Sequence, residues 1–163
     1  MIQPNTSDVP ATRRWPVDGV AFTVDPALGP TIRGRFDRVG GSYEVGADGI
    51  RIEVVVDATS VETGNGLWTG LLHSAEGGRL AQQPEARFRS TRVRQSGNGT
   101  LRVEGYLEAA GKTEPVAFDA DVKPTDHGLE LEAVATVDRL GKSADRFAFL
   151  LPATVRVTTH FTA

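Results

Sequence analysis

A chain of 163 residues with a net charge of −3 and no cysteine suits one domain with a sizeable core. The charge argues against a general binder of the phosphate backbone, which needs a strongly basic face. The missing cysteines exclude a disulfide framework, a thiolate metal site and a cysteine nucleophile.

Residues 1–13 carry Pro4, Pro10 and a polar run from Asn5 to Asp8, with no apolar h-region. They read as a disordered arm rather than a secretory signal, so the expected location is the cytoplasm. No apolar run is long enough for a membrane-spanning helix. The domain proper is expected over 14–163. Its first strand covers about 15–24 and ends at Asp25-Pro26. A strand over 31–37 follows, with Ile32, Gly34 and Phe36 on one face, and Gly40-Gly41 is expected to close it. A short piece over 43–45 precedes the Ala47-Asp48-Gly49 turn. In 50–57, Ile50, Ile52, Val54 and Val56 are expected to face in, and Arg51, Glu53 and Asp57 to face out.

The spacing of Leu67, Leu71, Leu72 and Ala75 predicts one α-helix over about 67–80, ended by Gly77-Gly78. From Pro84 onward strand follows strand. One runs over 85–94. Leu101, Val103 and Leu107 then alternate with charged residues, as do Val116, Phe118, Ala120 and Val122, and then Leu129, Leu131, Ala133, Ala135 and Val137. Turns at Gly97-Asn98-Gly99, Ala110-Gly111-Lys112 and Asp126-His127-Gly128 mark hairpins. Residues 138–152 include Phe147, Phe149, Leu150 and Leu151, too apolar for a free loop, and are expected to cap one end of the barrel. A last strand covers 155–161.

The fold class is therefore all-β, with about eight antiparallel strands, one helix and a capping segment near the C-terminus. Eight strands close into a barrel that either fills with side chains or holds one small ligand. A two-sheet sandwich fits the same alternation.

Few residues suggest chemistry. His73, His127 and His160 lack metal-ligand spacing. No G-x-S-x-G occurs, and the interval from Gly105 to Gly111 is one residue too long for a phosphate loop. Arg87, Arg89, Arg92 and Arg94 form the one basic run. If Phe88 points inward, Arg92 and Arg94 do so too unless a bulge intervenes, and one of them is then a candidate for an anionic head group.

Thr63-Gly64-Asn65, the segment from Pro84 to Thr91, Val103-Glu104-Gly105-Tyr106-Leu107 and Gly111-Lys112-Thr113-Glu114-Pro115-Val116 together resemble the YceI-like polyisoprenoid-binding family. Phe22-Thr23-Val24 and Gly34-Arg35-Phe36 fit the same pattern. The resemblance implies a lipocalin-like eight-stranded barrel that takes a long isoprenoid-type chain in its lumen, with no catalysis and no cofactor. The family often has an Arg-Asp pair and a His soon after Thr-Gly-Asn; here Trp68-Thr69 and Leu71 stand there, which points to recognition of the tail more than the head. The lumen candidates are Phe22, Ile32, Phe36, Ile52, Val54, Leu71, Leu72, Phe88, Val103, Leu107, Phe118, Leu131, Phe147, Phe149 and Phe161. The expected partner is a hydrophobic small molecule, not a nucleic acid; whether the chain forms a homodimer is open. The other reading of the same scaffold is a ligand-free structural or interaction protein whose lumen is filled by its own side chains.

Overall fold

Apolar side chains at every second position need a partner layer, and the chain supplies one by wrapping its sheet round. The computed structural model describes residues 12–27, 30–64, 84–109, 111–137 and 153–163. Its strands are β1 (Arg13–Pro26), β2 (Ile32–Phe36), β3 (Val39–Gly46), β4 (Gly49–Asp57), β5 (Val61–Glu62), β6 (Glu85–Gly97), β7 (Thr100–Ala109), β8 (Lys112–Pro124), β9 (Gly128–Val137) and β10 (Ala153–Thr162). Eight of them, in the order β10-β9-β8-β7-β6-β4-β3-β1, form one antiparallel sheet that closes where β1 pairs with β10. Closure distinguishes a barrel from the sandwich. β2 and β5 extend it: β1 pairs through residues 13–16 with β3 and through residues 20–24 with β2, which in turn pairs with β5.

β1 runs from Arg13 to Pro26, two residues beyond the expected strand at each end. Gly40-Gly41 do not end a strand but lie inside β3. Gly41 has φ +105°, and a Cβ there would run into the carbonyl oxygen of Glu53 on β4. Glycine is thus used for close backbone approach, which the sequence alone reads as a turn.

Of three register shifts, one of which lies at the β6–β7 hairpin between Gln95 and Gly97, two decide which side chains face in. The first falls between Val17 and Gly19 in the β1–β10 ladder. The second falls between Ser90 and Arg92 in β6, where Thr91 is the extra residue. A bulge puts two residues opposite one and resets the alternation. Val93 therefore stands opposite Val103, while Arg92 and Arg94 are exposed. The inward arginines expected from strict alternation do not occur. The bulge also interrupts the β4–β6 ladder at Glu53–Arg89. Beyond it the Ile52 N–H donates to the Ser90 hydroxyl at 2.8 Å.

Among the described residues the one helical segment is a 3₁₀ turn, Ala58–Ser60, capped by Asp57. The helix expected over 67–80, the cap over 138–152 and the arm over 1–11 lie outside the described residues.

One half of the barrel is filled. Tyr43, Ile52, Leu101, Val103, Ala120, Leu131 and Phe161 form a single buried cluster, with Trp15, Val17, Ile50 and Leu129 packed against it. Phe161 and Val103 are each 0% exposed. Aromatic rings meet edge to face here, Trp15 with Tyr43 at 6.0 Å and Tyr43 with Phe161 at 5.5 Å between centroids, a favourable geometry. Burial pushes the Tyr43 phenol pKa up, as expected where water is excluded.

Candidate functional site

Among the described residues, no side chain fills the other half. Val54 and Val56 of β4, Ala86 and Phe88 of β6, Leu107 of β7, Val116 and Phe118 of β8, Ala133 and Ala135 of β9, and Val155 and Val157 of β10 surround a cavity of about 450 Å³. Ile52, Leu131, Val20 and Phe36 form its floor and flank. These strands end in short side chains at this level, and valines and alanines do not reach across an eight-stranded barrel. The wall is apolar apart from Thr159. Among the described residues, no buried side-chain nitrogen or oxygen lacks a hydrogen-bond partner.

The lumen candidates from the sequence divide. Phe36, Ile52, Val54, Phe88, Leu107, Phe118 and Leu131 border the cavity. Phe88 and Phe118 pack against each other, 5.4 Å between centroids. Val103 and Phe161 do not: both sit in the filled half, where their burial is complete. Phe22 and Ile32 do not border it either. Phe22 lies over Gly34 and packs on Phe36, 5.5 Å between centroids, while Ile32 is buried in the β1–β2 pair. Leu71, Leu72, Phe147 and Phe149 lie outside the described residues. Sequence reasoning missed Val20, Val56, Ala86, Val116, Ala117, Ala133, Val134, Ala135, Val155, Val157 and Thr159 as wall residues. The inward parity of most was legible, but small side chains do not advertise an empty space.

Charge is kept off this wall. Arg87 bonds Glu85 at 2.9 Å and Arg89 meets Glu53 at 3.2 Å on the outer face. Arg92 and Arg94 also point out, alongside the filled half. None of the four reaches the cavity, so the head-group role considered for this run has no support in the geometry. Of the histidines, His127 occupies an exposed turn and His160 is exposed on β10, while His73 lies outside the described residues.

One rim corner is tied down by polar bonds. Arg38 donates to Asp57 at 2.9 Å and to the Thr59 hydroxyl at 3.1 Å, and Asp57 accepts the Thr59 N–H at 2.9 Å. The hydrogen bond from the Thr59 side chain, followed by that from Arg38, holds the Asp57 carboxyl below its ordinary pKa. Asp37 N–H to the Ser60 carbonyl at 3.1 Å and Asp57 N–H to the Arg38 carbonyl at 2.9 Å close the gap between β2 and β4.

Comparison with known proteins agrees with this architecture. A UPF0312 protein of Vibrio parahaemolyticus is 32% identical over 93 residues, covering 55% of this chain and 49% of the relative. A UPF0312 protein of Shewanella denitrificans is 31% identical over 105 residues, 62% of this chain and 54% of the relative. The chain thus spans about half the length of the curated relatives it matches. The crystal structure of BcnA from Burkholderia cenocepacia superposes with a TM-score of 0.70 at 18% identity, over 90% of this chain and 99% of that one. A domain from Saccharophagus degradans, described as polyisoprenoid-binding and implicated in plant cell wall breakdown, superposes with a TM-score of 0.61 at 15% identity, over 91% of this chain and 98% of that one. At such identities the structures speak for the fold alone. The family model for the YceI-like domain matches residues 2–163, and with the closed barrel beside it the chain belongs to the YceI-like domain family.

Proposed function

We propose that the barrel binds the hydrocarbon chain of an isoprenoid or similar long-chain lipid in its hollow half, and carries, stores or sequesters it without chemistry. The observation that carries this reading is the cavity of about 450 Å³ walled almost wholly by apolar side chains. Pockets of this size and character are typical of small-molecule sites. Burial alone supplies the grip: each methylene removed from water contributes about 0.8 kcal/mol, roughly fourfold in affinity. A structural relative described as polyisoprenoid-binding supports the ligand class. The described wall offers one hydroxyl, Thr159, and no acid or base for a reaction.

The test is organic extraction of purified protein with mass spectrometry of the extract, followed by add-back of a polyprenol. An isoprenoid or fatty chain in the extract, or uptake of the added compound, is expected. A clean extract with no uptake would favour an interaction protein on a ligand-free scaffold.

A further inference from the structure

The cavity wall differs between strands. On β4 the lining residues are Ile52, Val54 and Val56, and on β10 they are Val155, Val157 and Thr159. These alternate, as inward faces of strands must. On β8 and β9 they are consecutive: Val116, Ala117 and Phe118, and Ala133, Val134 and Ala135. Neighbouring residues of a strand point to opposite faces, so both border one cavity only where that cavity passes round the strand's edge.

The ladder between these strands stops at the matching place. β8 pairs with β9 from Pro124–Leu129 up to Ala120–Ala133 and no further. Beyond it β8 remains paired to β7 as far as Lys112, and β9 to β10 as far as Val137. Among the described residues, nothing pairs with the facing edges of 112–119 and 134–137, which leaves a slit between them. Val134, beside Arg156 on the outer face of β9, is 43% exposed.

Volume gives the slit a use. If each carbon claims roughly 30 Å³, about the share of a water molecule in the liquid, the cavity of about 450 Å³ holds on the order of fifteen carbons. Three isoprene units fit; a chain much longer does not. The packed end of the barrel is solid, so surplus chain cannot continue past it along the axis.

We infer that the slit between β8 and β9 is a side exit, through which the part of an isoprenoid chain too long for the cavity leaves the barrel. This rests on the carrier reading and adds the route and the length at which the route is needed.

The test is amide hydrogen exchange on the unaltered protein, free and after loading with farnesol (three isoprene units) or with an eleven-unit polyprenol, loading being read independently by co-elution. In the free protein, slit-facing amides of residues 116–119 and 134–137 exchange faster than those of the paired segments 120–124 and 129–133. The long polyprenol slows them roughly tenfold, as burial of an open edge does; farnesol leaves them near the free rate. Co-elution of the polyprenol with protection only around Val56 and Ala86 would overturn the side exit and leave the carrier reading standing. Slit amides already as protected as the ladder in the free protein would also overturn it. Failure of both alcohols to co-elute would sink the carrier reading, and the exit with it.

Discussion

Around Phe161 the interior of this barrel is solid, whereas around Val54 it is a cavity, although seven strands contribute to both halves, β3 adding only to the first and β2 only to the second. Side-chain length makes the difference. The filled half receives Trp15, Tyr43 and Phe161, whose rings pack against one another from the neighbouring strands β1, β3 and β10. The hollow half sets Phe36, Phe88 and Phe118 among Val54, Val56, Ala86, Val116, Ala133, Ala135, Val155 and Val157, which are too short to fill the space between them. Packing and empty space are thereby placed in separate halves of one sheet: the packed end anchors the fold, so the other end tolerates space that the described side chains leave unfilled.

The sharpest way to break this comparison is to truncate a ring in each half. Phe161→Ala removes a fully buried ring and is expected to cost about 3–5 kcal/mol. Phe88→Ala removes a ring that already has empty space on one side, where part of the packing energy is absent; less than half of that cost is expected. Denaturant melts of the two variants give the answer, and equal losses would mean that the cavity is not hollow in solution.

Enlargement tests the same division from the other direction. Val103→Phe forces volume into a site with 0% exposure and should cost about 1–3 kcal/mol. Val54→Phe grows into the cavity, so stability should stay within about 0.5 kcal/mol while uptake of farnesol falls. Thermal melts and a binding titration on both variants check this.

Much of this was readable from the residues. The strict alternation from Leu101 to Val137 and the hairpin turns specified most of the ladder, and the all-β class with it. The bulge at Thr91 was not readable, because nothing in Arg-Ser-Thr-Arg-Val distinguishes a bulge from a continuous strand, and this decided the fate of Arg92 and Arg94. Gly40-Gly41 misled because a glycine serving close approach to Glu53 looks like one serving a turn. The cavity was half legible. Inward parity named Val54 and Phe88, but it named Val103 and Phe161 as well, since alternation reports a face and not the depth along the axis. The slit left a signal that went unused: Ala117, Ala120, Ala133 and Ala135 cluster on two adjacent strands, and alanine is a poor strand former.

Smaller effects sharpen the boundary between the halves. Ser90→Ala leaves the Ile52 N–H without its acceptor, and Ile52 belongs to both the buried cluster and the cavity floor. A loss of about 1–2 kcal/mol is expected, with faster exchange of the Ile52 amide. Smallest is the rim corner. Asp57→Asn should cost about 1 kcal/mol or less near neutral pH, the scale of a lost cap. Because the folded Asp57 pKa lies below its ordinary value of 3.8, the carboxylate's contribution is complete above that value and is lost as pH falls through the folded one. The stability gap between wild type and variant should therefore close in acid, as paired urea melts across that range would show; a gap that widened in acid would contradict the assignment.

The central claim, that the hollow half is a hydrocarbon site, is tested most directly by titrating the protein with straight-chain and isoprenoid alcohols of increasing length. Affinity should rise roughly fourfold per carbon and level off near the fifteen or so carbons that about 450 Å³ accommodates. Binding that is absent, or that does not depend on chain length below that point, would contradict the account.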